Sequence, residues 1–254
     1  MQRFFIQEKF NILQKGQNLK LPFEIFHHAV DVLRMKKGTR FELVDATEKV
    51  FCCELTNIQK KDAMFKILNM IDHSVEMPVK VTIACGIPKG TKAEEIVKKG
   101  TQLGSDNFIF LNTEYAVASW KKQKQLKKIQ RLQTIALNAA EQSHRTHIPH
   151  VSFVNSITEL IKVTKNDKYK VVAYEESAKK GEKSALRNTL SELKQDLPSS
   201  IVAFFGPEGG VASTEVIDLV AAGFIKVALG PRILRAETAP LYFLSALSFV
   251  TELN

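Results

Sequence analysis

Two segments in the last fifth of the chain hold residues whose types and spacing could do chemistry. They are Gly206-Pro207-Glu208-Gly209-Gly210 and Leu229-Gly230-Pro231-Arg232-Ile233-Leu234-Arg235-Ala236-Glu237-Thr238-Ala239. Glycine lets a backbone come close to a ligand, so the first segment could present amides and carbonyls to a bound molecule. The second places two arginines and a glutamate just before an almost wholly apolar stretch, Leu241 to Val250. Charge there needs a reason, and the functional one is a single pocket formed by both loops, with backbone amides and carbonyls facing a ligand. The plainer alternative is a tight bend plus an Arg232–Glu237 ion pair anchoring a last helix, which Thr238 would cap with Pro240 in its first turn. Residue types alone leave both open.

Each segment follows an apolar run that reads as a buried parallel strand, Ile201 to Phe205 and Lys226 to Ala228, and each leads into a helix. Loops leaving the carboxyl ends of strands are where an open α/β sheet binds ligands. The same alternation begins at Val79. Strands are expected at Val79–Cys85, Phe108–Leu111 and Val171–Tyr174, with helices from Thr91 to Leu103, Ser156 to Val163, Ser184 to Leu193, Thr214 to Gly223 and Leu241 to Val250. This pattern predicts a mostly parallel sheet flanked by helices. The first 70 or so residues differ. Alternating runs at Arg40–Val44 and Val50–Leu55 predict a small β-barrel-like module, with a helix from Phe23 to Met35 that Gly38 would end as a C′ cap. The stretch Asn69 to Pro78 reads as the linker, giving domains 1–72 and 73–254.

The balance of 36 basic against 27 acidic residues, a net +9, favours a polyanionic partner, nucleic acid foremost. No stretch has the length and apolarity of a membrane span, and the N-terminus lacks the apolar core of a signal peptide, so a cytoplasmic location is expected. Cys52, Cys53 and Cys85 form no disulfide or metal framework. The spacing of His144, His147 and His150 does not match a shared helix face, and Pro149 interrupts it, so a polar loop and no metal are expected.

From Ser119 to Arg145 a helix is expected, with Leu126, Ile129, Leu132, Ile135, Ala136, Ala139 and Ala140 on one face. Lys121, Lys124, Lys128 and Arg131 form another stripe, which is either a solvated face or a phosphate-contacting surface. Gln142 and Arg145 at its end could reach a base or ribose. Dinucleotide, P-loop and nucleophile-elbow fingerprints are all missing, so dehydrogenase, P-loop and serine-hydrolase readings lose their support.

The two C-terminal segments, with Phe204-Phe205 before the first, closely resemble those of the ribosomal RNA small subunit methyltransferase E family of the SPOUT superfamily. Met1-Gln2-Arg3-Phe4-Phe5, His28-Ala29-Val30-Asp31-Val32-Leu33-Arg34 with Gly38, and Ala139-Ala140-Glu141-Gln142-Ser143-His144-Arg145 are similar to other parts of that family. The resemblance implies an α/β domain with a C-terminal trefoil knot, preceded by a PUA-like β-barrel. It also implies a homodimer that uses S-adenosylmethionine, without metal, to methylate N3 of a uridine in 16S rRNA. By the same resemblance Phe205, Gly206, Pro207, Glu208, Gly209, Leu229, Gly230, Ile233, Leu234 and Thr238 hold the cofactor. Arg232, Arg235 and Glu237 act on the uridine, in roles the sequence does not divide, and Arg3, Arg34, Gln142 and Arg145 help seat the RNA. Two departures touch RNA contact: Gln102 stands where the family pattern has glutamate, and an arginine expected near Tyr115 is missing. The competing classes are a non-catalytic RNA-binding assembly factor on the same scaffold and a small-molecule enzyme of ordinary doubly wound fold. Cofactor binding separates the first, and dependence of activity on RNA the second.

Overall fold

The computed structural model describes residues 1–10, 15–72, 74–176 and 184–253. The chain divides into two compact units, one of Met1–Glu76 with Ala140–His147 and the other of Met77–Ala139 with Ile148–Asn254. The first therefore reaches four residues past the expected linker point and also takes a segment from the middle of the chain.

The first unit is a five-stranded sheet. Its strands are β1 (Gln2–Phe5), β2 (Asn18–Lys20), β3 (Arg40–Val44), β4 (Val50–Ile58) and β5 (Ala63–Ile71), in the order β1-β3-β4-β5-β2. β1 pairs with β3 in parallel, and the other strand pairs named here are antiparallel. Phe4, Phe41 and Phe65 are buried, and their rings meet edge to face at 6.0 Å, a geometry that matches the positive rim of one ring to the negative face of the next. β5 uses residues 69–71, which the sequence suggested were linker. The helix expected over Phe23–Met35 is shorter: α1 (Phe23–Phe26) runs into a π-helical turn, His27–Val32. Arg34 takes a left-handed φ of 54°, and Gly38 lies beyond the helix, in the turn before β3, where its N–H reaches Leu55. Arg34, not glycine, makes the reversal.

The second unit is an all-parallel sheet of β6 (Val79–Gly86), β7 (Asn107–Leu111), β8 (His150–Val154), β9 (Tyr169–Ala173), β10 (Ser199–Phe205) and β11 (Ile225–Val227). The order is β11-β9-β10-β6-β7-β8. Its helices are α2 (Lys92–Gln102), α3 (Lys122–Gln142), α4 (Ile157–Val163), α5 (Ala185–Gln195), α6 (Ser213–Ala221) and α7 (Thr238–Glu252). The central strands are near-continuous apolar runs because both faces are covered. Val81, Ile83, Ala203 and Phe205 pack on one side, Ala84, Val202 and Phe204 on the other. β8 was not expected, so His150 opens a strand where a polar loop was anticipated. α3 begins at Lys122, not near Ser119, and Leu126 is 67% exposed, so its apolar face is buried only farther along, at Leu132, Ala136, Ala139 and Ala140. Cys52, Cys53 and Cys85 are free and buried, and burial raises each thiol above its ordinary value.

Candidate cofactor pocket

Register sets the site. Phe205 pairs with Cys85 on one side and Ala173 on the other, and Ala173 pairs with Val227. Four strands therefore end at one level, and the loops that leave them converge. A cavity of about 770 Å³ lies among them, lined by residues 173–176, 205–211, 213, 227–230, 232–236 and 239, with Lys92 and Tyr115. That is the size of a site for a drug-sized molecule.

The loop after β10 is tight for local reasons. Gly210 donates to the Pro207 carbonyl at 2.9 Å, closing a turn. A Cβ on Gly206 would come within 2.8 Å of the Gly210 carbonyl carbon, and one on Gly209 within 2.5 Å of the Tyr115 carbonyl oxygen. Any side chain at either position would force the loop open. Glu215 in α6 accepts from Ala212 N–H at 3.1 Å and from Glu114 N–H at 3.0 Å, joining this loop to the one after β7.

Lys92 joins the two C-terminal loops. Its Nζ donates to Glu208 Oε1 at 2.8 Å. It also lies 3.1 Å from Glu237 Oε2, an ion-pair contact whose angle leaves that buried oxygen without a hydrogen bond. Glu208 further accepts from Lys89 N–H at 3.1 Å. Burial pushes the carboxyl of Glu208 up, but Lys92 and the backbone N–H groups outweigh it and hold it below the ordinary value. Glu237 is likewise held low, with burial opposed by its own backbone N–H, Lys92 and the charge of Arg235. Both carboxylates raise Lys92 above the usual lysine value. Sequence reasoning passed over Lys92; the available signal was a lysine in a helix's first turn, where the macrodipole disfavours positive charge.

Of the residues implied by resemblance, Phe205, Gly206, Pro207, Glu208, Gly209, Leu229, Gly230, Ile233 and Leu234 line the cavity, as do Arg232 and Arg235. Glu237 and Thr238 stand outside the lining. Thr238 does not cap α7: Glu237 occupies the cap position, and the Arg235 carbonyl accepts from Thr238 N–H at 2.9 Å and Ala239 N–H at 3.0 Å. Nor does Arg232 pair with Glu237. Its side chain is exposed and forms no ion pair among the described residues. That leaves a cation at the cavity wall.

The four residues implied to seat RNA fall into two kinds. Arg34 and Gln142 are exposed. Arg3 and Arg145 are 4% and 3% exposed. Arg3 Nε donates to Glu42 at 2.8 Å, and its terminal nitrogen donates to the Arg145 carbonyl at 3.1 Å. Arg145 Nε donates to Glu76 at 2.9 Å, and the same carboxylate accepts from Thr146 N–H at 2.7 Å and His147 N–H at 3.2 Å. Both guanidiniums thus hold the segment 140–147 in place. His144 and His147 bond to Glu42 and Glu48 at 3.0 and 2.9 Å. Among the described residues no group of three or more His, Cys, Asp or Glu side chains could hold a metal, and no helix is long and apolar enough to cross a membrane.

The RNA methyltransferase domain family matches residues 75–248, and the RNA methyltransferase PUA domain family matches residues 22–68. The ribosomal RNA small subunit methyltransferase E of Bacillus subtilis is 40% identical over 253 residues, covering 100% of this chain and 98% of that protein. That of Synechocystis is 34% identical over 89% of this chain and 71% of its own length. The crystal structure of the Neisseria gonorrhoeae enzyme of the same name, bound to S-adenosyl methionine, superposes with a TM-score of 0.84 at 28% identity, covering 98% of each chain.

Proposed function

Because the chain belongs to the ribosomal RNA small subunit methyltransferase E family, we propose that it transfers the methyl group of S-adenosylmethionine to N3 of a uridine in 16S rRNA. The observation that carries this reading is the cavity itself. It is built from backbone-rich loops at the carboxyl ends of four level strands, with a cation on its wall. Its volume and its glycine-bounded floor fit the cofactor. Residues 205–209 and 229–234 would hold it, mostly through backbone, with Phe205, Leu229, Ile233 and Leu234 giving apolar surface. The cofactor supplies an activated methyl group, so the protein's task is alignment and exclusion of water.

Uracil N3 must lose its proton, and negative charge then spreads over O2 and O4. Arg232, exposed and without an ion-pair partner among the described residues, is the group to face that charge. Glu237 is held below the ordinary carboxylate range and is engaged by Lys92, which makes it a weak proton acceptor and suits it to bracing the second loop. Arg235 supports it electrostatically and caps α7 through its carbonyl. Exposed Arg34 and Gln142 contact RNA, while Arg3 and Arg145 fix the segment that carries Gln142.

Tyr242 and Phe249 on α7, with Leu253 at its C-cap, leave apolar surface at 42%, 57% and 76% exposure. That surface supports a homodimer, in a cytoplasmic protein whose C-terminal segments form the family's trefoil knot. The test is labelled methyl transfer to small ribosomal subunits lacking the modification, followed by mapping of the product. Label at N3 of one uridine is expected. No transfer, or transfer to another atom, overturns the reading.

A further inference from the structure

We propose that the outward face of α3 formed by Lys124, Lys127, Lys128 and Arg131 is a phosphodiester-binding strip that leads RNA to the pocket. The proposal rests on the RNA-methylating reading above and adds a surface to it. These four residues stand at i, i+3, i+4 and i+7, so each cation has like charges as its nearest helical neighbours, a mutually repulsive arrangement. The first turn of α3 holds no acidic residue, so positive charge sits where the helix macrodipole disfavours it. Compensation within the chain is slight. Arg131 pairs with Glu94 at 2.9 Å, and Lys128 lies 5.5 Å above the Trp120 ring, which orients its charge without neutralising it. Lys124 and Lys127 have no ion-pair partner among the described residues, and Leu126 between them is 67% exposed. Most of this charge is left uncompensated, whereas a polyanion laid along it would relieve the repulsion.

Its position connects it to the pocket within the second unit. Tyr115 lines the cavity and touches Gly209, and six residues of chain bring Lys121 within about 20 Å of it. At the other end, Glu94, which holds Arg131, is two residues from Lys92 on the cavity wall. From position 124 to 131 the strip covers about 10 Å of helix axis, along which one strand of a duplex presents about three phosphates.

The test compares a Lys124→Gln, Lys127→Gln, Lys128→Gln triple variant of the full chain with wild type. The probes are a short RNA hairpin and unmodified small subunits. The slope of log affinity against log salt should flatten by about 2 to 3, with RNA affinity at least tenfold weaker and cofactor affinity by calorimetry unchanged. The corresponding lysine-to-arginine triple should retain the wild-type slope. A control triple, Lys80→Gln, Lys162→Gln, Lys165→Gln, removes the same charge at the amino end of the sheet. A flattening no greater than in that control, or an arginine triple that behaves like the glutamine one, overturns the strip. If the glutamine triple matches wild type in both binding and methylation, the strip fails while the methyltransferase reading stands. If wild type methylates no RNA yet the slopes separate as stated, the strip stands and that reading fails.

Discussion

Arg3 and Arg145 differ from Arg232 and Arg235 in everything except residue type. The first two are almost wholly buried, and their donors are spent on carboxylates and carbonyls of their own unit. The second two stand at a cavity wall, exposed, and the charge of Arg235 acts on the neighbouring Glu237 carboxylate. A buried guanidinium that is fully paired is a structural commitment. One that faces a cavity unpaired keeps its charge for a ligand.

The sharpest way to break this contrast is to remove each kind. Arg145→Ala leaves Glu76 largely buried without its cation, and thermal or denaturant unfolding should show a loss of about 3–5 kcal/mol. Equal stability would return Arg145 to the RNA footprint. Arg232→Ala should leave unfolding within about 0.5 kcal/mol of wild type and lower kcat by about 100- to 1,000-fold. If stability falls and turnover does not, the assignment of the two pairs is reversed.

The carboxylates of the first unit sharpen it further. In Glu76, burial pushes the carboxyl up but Arg145 and two backbone N–H groups bring it below the ordinary 4.5, so its contribution is present above that pH and lost as pH falls below it. Burial alone raises Glu141 to about 7. Its protonated form is therefore favoured in the fold, and stability falls as pH rises from 4.5 towards 7. Glu141→Gln should stabilise the protein at pH 8 by about 3 kcal/mol and have no effect at pH 4, read from unfolding curves at the two values. The smallest effect is expected for Lys92→Met, which unties the two pocket loops and should weaken cofactor binding about tenfold, with RNA affinity kept.

The parallel sheet was legible because its strands are apolar runs bounded by glycine and proline, and four of them converge where the sequence placed the site. β8 escaped notice because His150, Ser152 and Phe153 leave it only partly buried, and β5 because Asn69 breaks the alternation of Ala63, Phe65 and Ile67. Whether an arginine is buried could not be read locally. Arg3 meets a carboxylate 39 positions away, and Arg145 one 69 positions away. Lys92 and Glu208 are 116 apart. Such partners are chosen by topology, and a one-dimensional pattern carries no trace of them.

The strand order also has a temporal meaning. β10 lies between β6 and β9, but β11, whose trailing loop makes the far wall of the cavity, is added at the sheet's outer edge beyond β9. On a translating ribosome, Lys92 emerges long before Glu237, and all the chain between them must be made before they can meet. A nascent chain halted before residue 228 would carry the glycine turn but neither Arg232 nor α7. Competence to bind methyl donor thus arrives abruptly, with the segment after β11, and chains halted before it are silent by construction.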